Sequence, residues 1–253
     1  MTRMDLNCDV GEVPEAVTNG TQDSIMRSVS SVNVACGGHA GDAQTMGTTI
    51  EQALHWNLAL GAHPGYPDRA NFGRLELELP AAVVSDFVFE QVRAFAEAAE
   101  KFGARVTHVK PHGALYNQAA SNRALAEAIA AGVARWRRDV ALVGLAGSLM
   151  LDVFQQAGFP AVAEAFADRR YQSDGTLRSR KSEDALIRDP ELCAQQALDI
   201  ATRRRVSSCD GTGIEVDAQT ICIHGDGPNA STIAAAVARK LGQAGIEVRH
   251  PFF

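Results

Sequence analysis

Lys110 and His112 lie two residues apart in Val-Thr-His-Val-Lys-Pro-His-Gly-Ala-Leu-Tyr-Asn, residues 106–117. Val106, Thr107 and Val109 suit a buried strand, and Pro111 with Gly113 breaks it. A cation and an imidazole where a strand opens into a loop are placed for proton transfer or for stabilising developing negative charge. The arrangement recurs. Asn7, Asp9 and Glu12 surround Gly11 after a first apolar run, and His39 lies in Gly37-Gly38-His39-Ala40-Gly41-Asp42. His63 opens a Pro- and Gly-rich loop, Asp168-Arg169 follows a run containing Glu164, and His224-Gly225-Asp226-Gly227-Pro228 follows the last. Five of the seven histidines, His39, His63, His108, His112 and His224, stand at or beside strand ends. His55 and His250 lack that setting and read as surface residues.

Each residue also has a plainer reading. A single histidine is more often a structural hydrogen-bonder, and Asp and Asn commonly cap turns. Lys110 needs a partner, because burial disfavours its charge. The candidates are a substrate carboxylate, a phosphate, or Asp9 or Glu164, the last two making a structural ion pair. Asp168 and Arg169 read equally well as a salt bridge. The His224–Gly227 segment leads towards a helix N-terminus, which attracts anions, or is a turn with a capping Asp. The candidate catalytic residues are Asp9, Lys110 and His112. The candidate substrate-binding residues are Asn7, His39, His63, Glu164, Asp168, Arg169, His224 and Asp226. Asp9, His39 and His63 form a candidate metal set, since oxygen and nitrogen ligands suit Zn or Mn, although no H-E-x-x-H spacing supports it. Together these groups point to hydrolysis of a small polar molecule. No G-x-S-x-G elbow, P-loop or G-x-G-x-x-G fingerprint is present.

The elements that position these residues alternate. Strands are expected at Met4–Cys8, Val32–Cys36, Leu58–Ala62, Val106–Lys110, Val140–Leu145, Val162–Phe166 and Thr220–Ile223. Glu12–Asp23 reads as a surface loop, followed by a short helix at Ser24–Ser30. A helix capped by Asp42 runs to about Trp56, with Met46, Ile50, Ala53 and Leu54 on one face. Pro80 starts another, with Val84, Phe87, Val88, Gln91, Phe95, Ala98 and Phe102 buried and Gly103 ending it. Further helices are expected at about Asn122–Trp136, from Ser148 to Gln156, at Pro190–Thr202 and at Ala230–Gln243. Ala167–Asp189 is a long irregular segment of the kind that often acts as a lid. Ser207–Val216 reads as a small hairpin.

Alternating strands and helices imply a parallel sheet with helical crossovers. Polar residues leave six of the seven strands at their C-terminal ends, whereas an open sheet marks only its switch point. The expected architecture is therefore an α/β barrel of seven or eight strands, one domain over residues 1–253. The hydrophobic share of 46% supports a sizeable core, and the formal net charge of -6 argues against nucleic acid as partner. Five cysteines without C-x-x-C spacing read as buried thiols in a reducing compartment. With no signal region and no bilayer-length apolar run, a cytoplasmic protein with no membrane partner is expected.

Seven motifs then occur in order: Asp-Leu-Asn-Cys-Asp-Val-Gly-Glu, Ala-Cys-Gly-Gly-His-Ala-Gly-Asp, Gly-Ala-His-Pro-Gly-Tyr-Pro-Asp, His-Val-Lys-Pro-His-Gly-Ala-Leu-Tyr-Asn, Gly-Leu-Ala-Gly-Ser, Phe-Ala-Asp-Arg and Ile-Cys-Ile-His-Gly-Asp. By these the chain resembles the LamB/YcsF family of lactam utilisation proteins from Asp5 to about Gly245. The resemblance implies a barrel of the glycoside hydrolase/deacetylase type. It also implies ATP-dependent opening of 5-oxoproline to glutamate, as a 5-oxoprolinase subunit working with subunits B and C, with ATP as cofactor. Lys110 and Arg169 would then stabilise phosphate or carboxylate charge, and Asp9 or His112 would manage protons. The chain departs from the family's usual pattern in three places: Val13-Pro14-Glu15, Gly38 and Gln219. They bear on the mouth of the site and its substrate. A stand-alone metal-dependent deacetylase or amidohydrolase on a related lactam, and a non-catalytic binding subunit, stay open, as does a homo-oligomer.

Overall fold

Polar and apolar residues alternate in Asp5-Leu6-Asn7-Cys8-Asp9, and this alternation decides which way the first strand faces. The computed structural model describes residues 2–227 and 229–252; Pro228, at the end of the His224 loop, lies outside them. The chain runs β1 (Arg3–Val10), α1 (Pro14–Thr18), α2 (Thr21–Met26), β2 (Ser31–Ala35), α3 (Ala43–His55) and β3 (Ala59–His63). It continues through α4 (Ala81–Lys101), β4 (Val106–Val109), α5 (Gly113–Ala119), α6 (Arg123–Trp136), β5 (Ala141–Leu145), α7 (Leu149–Gln156) and β6 (Ala161–Phe166). After a long segment come α8 (Pro190–Arg203), the hairpin β7 (Arg205–Ser207) and β8 (Gly213–Glu215), β9 (Thr220–His224), α9 (Ala230–Gln243) and β10 (Glu247–Val248).

Strands β1, β2, β3, β4, β5, β6 and β9 pair in parallel in that order, and β9 pairs back to β1. The sheet is thus a closed barrel of seven strands. β10 joins only the beginning of β1, pairing Arg3 with Glu247. On the outer face Leu6, Cys8, Val32, Val34, Ile221 and Ile223 are fully buried under the helices. Burying side chains of this size stabilises by about 1.5–3 kcal/mol each. α4 packs on α6 and α8 on α9.

Much of the barrel interior is polar and hydrogen-bonded, with a small apolar cluster of Ala59, Ala141, Val143, Val162 and Phe252 beside it. Thr220 donates to Asp5 (2.6 Å), Asn7 Nδ2 to Thr220 (2.7 Å) and Glu164 (2.9 Å), and Asn33 Nδ2 to Asn7 (2.8 Å) and Asp9 (2.9 Å). His108 Nε2 donates to Asn33 at 3.0 Å, and Phe252 stacks on His108 at 4.0 Å. Each group in this network that lost its partner would cost about 1–3 kcal/mol. The network therefore holds strands from opposite sides of the barrel in fixed register.

Several expectations change at the element level. Glu12–Asp23 is not all loop, since α1 and the first half of α2 occupy it. Helix α5 begins at Gly113 itself, where only a break was expected. Leu54 and Phe102 are 42% and 38% exposed, outside the buried faces of α3 and α4. His108 lies inside the barrel rather than at its mouth, and His250 is half-buried near Phe252. Asp42 caps α3 as expected, accepting from Thr45 N at 2.8 Å. No helix among the described residues is long and apolar enough to cross a membrane.

Candidate active site

The C-terminal ends of the barrel strands open into a cavity of about 630 Å³. Strand β1 brings Asp9 and, just beyond it, Glu12. Strand β3 brings His63, β4 leads into Lys110 and His112, and β9 ends in His224. The segment between β6 and α8 forms one wall with Arg169, Leu177, Ser179, Arg180 and Lys181. Arg74 and Leu75, from the loop after β3, form part of the opposite rim.

Lys110 is buried at the cavity floor. Its ammonium lies 2.9 Å from Asp9 Oδ1, 2.8 Å from Glu164 Oε1, 3.3 Å from Asn7 Oδ1 and 3.1 Å from Cys222 Sγ. Burial works against its charge, but Asp9 and Glu164 win and hold it well above the ordinary lysine range. Burial likewise works against the Asp9 carboxylate, yet His63 and Lys110 keep it ionised and well below its usual range.

Beside this pair sits a cluster of imidazoles on one carboxylate. Glu12 Oε1 is 2.9 Å from His39 Nε2, 3.1 Å from His112 Nδ1 and 3.7 Å from His63 Nε2. His39 stacks flat on His112 at 3.5 Å. Gly73, at φ +62°, makes room for this stack, because a Cβ there would press on His39. Burial pushes His39 down to about 3 and also lowers His112, whereas Asp9 raises His63 against the effect of burial. Burial opposes ionisation of Glu12, but His112 and His39 hold it well below its usual range.

His224 and Asp168 form a separate dyad. The Asp168 carboxylate accepts from His224 Nδ1 at 2.9 Å and from the His224 backbone N–H at 3.0 Å. The ring lies near-parallel to Phe166, 5.5 Å away, so its orientation is fixed from two sides. This leaves Nε2 without a protein partner among the described residues, on a ring that lines the cavity.

The expected site residues divide accordingly. Asp9, Lys110, His112, His63, Arg169 and His224 line the cavity. The other expected substrate contacts lie outside the cavity lining. Asn7 and Glu164 lie below Lys110 in the barrel network, His39 sits behind His112, and Asp168 sits behind His224. Asp226 is drawn to Arg74 and to Arg180 (3.4 Å), clamping the two sides of the mouth together. Asp168 and Arg169 do not pair: Asp168 takes His224, and Arg169 donates to the Arg178 carbonyl at 2.7 Å. The metal candidates regroup as well. Glu12, His39, His63 and His112 each bring a ligand atom within 4.8 Å of the others, so Glu12 and His112 stand where Asp9 was expected. The sequence marked Glu12 only as a neighbour of Asp9. Asn33 and Cys222 went unmarked because both sit within apolar runs, although alternation with Val32 and Val34 along β2, and with His224 along β9, places them inside the barrel.

Comparison with known proteins places this geometry. The LamB/YcsF family matches residues 4–252. The chain belongs to the LamB/YcsF family. A relative from Chloroflexus aggregans, named as the A component of 5-oxoprolinase, is 47% identical over 251 residues, covering 99% of this chain and 100% of the relative. The crystal structure of a lactam utilization protein from Thermus thermophilus superposes with a TM-score of 0.90 at 39% identity, over 98% of this chain and 99% of that one. A peptidoglycan deacetylase from Bacillus subtilis shares only the fold, with a TM-score of 0.50 and 14% identity over 99% of this chain and 88% of that one.

Within this LamB/YcsF protein the three departures have local explanations. A Cβ at Gly38 would meet the Gln91 side chain, which donates to Gly65 O at 2.8 Å and accepts from Gly65 N at 3.0 Å. Gln91 thus fills the space beside Gly38. Gln219 accepts from Ala163 N at 2.8 Å at the start of β9, at the far end of the barrel from the cavity. Of the three, only Val13-Pro14-Glu15 begins a helix beside Glu12.

Proposed function

We propose that this chain is the A component of an ATP-dependent 5-oxoprolinase, that it acts with subunits B and C, and that its cavity receives 5-oxo-L-proline. One observation carries the reading. Arg169 is buried and lines the cavity, its Nε has no hydrogen-bond partner, and no carboxylate lies within ion-pair distance of it among the described residues. Burial, with the nearby charge of Arg180, pushes it down to about 10, so it stays charged at neutral pH. A buried guanidinium of this kind calls for an anion from the ligand, and a carboxylate fits its fork. Arg180 and Lys181, further up the same wall, suit the additional charge of a phosphoryl group.

The amide of a five-membered lactam is stable and its oxygen is a poor leaving group. Transfer of the ATP γ-phosphoryl group to that oxygen forms an O–P bond, releases ADP and, as the amide nitrogen gives up its proton to solvent, leaves a C=N bond in the ring. Water then adds to the ring carbon while His224 Nε2 accepts its proton. His224 returns the proton to the ring nitrogen as the C–N bond breaks, and the remaining hydroxyl proton follows. The product is a free amine and an acyl phosphate, which a second water hydrolyses to glutamate and phosphate. Asp168 fixes the His224 tautomer and steadies its charge during this transfer. Lys110 keeps Asp9 ionised beside the imidazole, so that a charge on His224 meets a counter-ion.

The test is glutamate release from 5-oxoproline and ATP by this chain with and without subunits B and C, together with Arg169→Lys. Release is expected only from the assembled set. Loss of the bidentate contact should raise KM for 5-oxoproline by about 10–100-fold, equivalent to one charged hydrogen-bonding contact. Equal release without this chain, or an unchanged KM, would defeat the proposal.

A further inference from the structure

Glu12, His63 and His112 line the cavity but have no part in the ring opening just described. Their hydrogen bonds constrain them. His63 Nδ1 lies 2.7 Å from the Lys110 carbonyl, and His112 Nε2 lies 2.9 Å from the Phe72 carbonyl. A carbonyl only accepts, so these two nitrogens carry the protons. In each neutral ring the other nitrogen then offers a lone pair. Those two, His63 Nε2 and His112 Nδ1, face each other across 3.0 Å. Glu12 Oε1, a third electron-pair donor, is 3.1 Å from one and 3.7 Å from the other. Three acceptors converging in a buried place, with Asp9 Oδ2 a further 3.4 Å from His63 Nε2, need a cation between them.

The spacing indicates which cation. Bonds of about 2.0–2.1 Å to a tetrahedral zinc ion set its ligand atoms about 3.3 Å apart. The three separations here, 3.0, 3.1 and 3.7 Å, bracket that edge length. A proton held on His63 takes the same place in the metal-free chain, but it bridges one pair and not all three. The two backbone carbonyls act as the outer partners that usually fix the tautomer of a metal-binding histidine. His39 Nε2 donates to the Glu12 carboxylate at 2.9 Å, and the ring backs His112.

We propose that Glu12 Oε1, His63 Nε2 and His112 Nδ1 form a binding site for one divalent transition-metal ion, with the remaining coordination position open to the cavity. His39 is a positioning residue for Glu12. The site goes beyond the ring-opening reading and does not depend on it.

The test uses the full chain, stripped of metal by dialysis against a chelator and titrated with Zn²⁺, and separately with Mn²⁺, by calorimetry and elemental analysis. One equivalent of either ion per wild-type chain is expected, with a rise in Tm. Glu12→Gln and His63→Gln should weaken binding by more than about 100-fold, and His39→Gln by about 10–100-fold, the usual effect of an outer partner. His55→Ala, on an exposed part of α3, should change nothing. Substoichiometric binding of both ions to the wild-type chain would overturn the site whatever the variants do. So would full binding by folded Glu12→Gln. Neither result bears on whether glutamate is released.

Discussion

Lys110 makes four polar contacts from an ammonium with three protons, all of them to the protein. It is therefore a counter-ion first. Removing it as Lys110→Met would leave Glu164 buried without a counter-ion and Asp9 with His63 alone, and breaking such a pair costs about 3–5 kcal/mol. A denaturant titration should show a loss of that size; a loss under about 1 kcal/mol would mean the two carboxylates find other partners. Asp168 supports a pH prediction. Burial works to raise its pKa, but His224 and then Arg180 hold it below the ordinary 3.8. An acid whose pKa is lowered by folding adds stability above its unfolded value, and that stability is lost as pH falls through the folded value. The Tm gap between wild type and Asp168→Asn should hold steady from about pH 7 to pH 4.5 and narrow below about pH 3.8. A gap that stays constant into strong acid would show that the dyad is not an ionic contact.

Among the elements, β3 and β4 show how closely side chain and backbone are fitted. A Cβ at Gly61 would collide with the His108 ring, and the pairing of β3 with β4 shifts register at Leu60/Gly61. Gly61→Ala should displace His108 from Asn33 and cost about 1–3 kcal/mol, lowering the urea midpoint with little change in slope. An unchanged midpoint would mean the ring moves freely. The strands were largely legible in the sequence because each is an apolar run closed by Gly, Pro or a charge. The longer helices were legible from their 3.6-residue repeat. Helix α5 was not, since it starts at Gly113 with φ +54° and ends after seven residues, too few for a repeat to show. Helices α1 and α2 are shorter still. Leu54 and Phe102 were misplaced because a repeat continues past the point where a helix leaves its neighbour. The cavity wall after β6 was legible as a long loop, but not that it sends Arg169 inward while Asp168 turns to β9. Adjacent residues of opposite charge look paired until the backbone direction is known.

For the molecule as a whole, the closed barrel explains why residues as far apart as Asp9 and His224 share one cavity. Parallel strands all end on the same rim, and closure of β9 on β1 brings the last next to the first. That convergence could be read from the sequence because six strands carry polar residues at the same end. The inside-outside assignment of β1 could also have been read, from Asp5-Leu6-Asn7-Cys8-Asp9, but a polar barrel lining reverses the usual expectation that the inner face is apolar. Partner choice was not legible from the residues themselves and rests on family membership.

The most direct measurement is kcat for glutamate formation from 5-oxoproline and ATP by the complex carrying His224→Gln, beside a check that the three components still assemble. If the cavity is where the ring opens and His224 moves the proton, kcat should fall by about 10²–10⁴-fold, with KM for 5-oxoproline little altered. An assembled variant with kcat within about threefold of wild type would contradict it, because no general acid–base residue is removed at so small a cost.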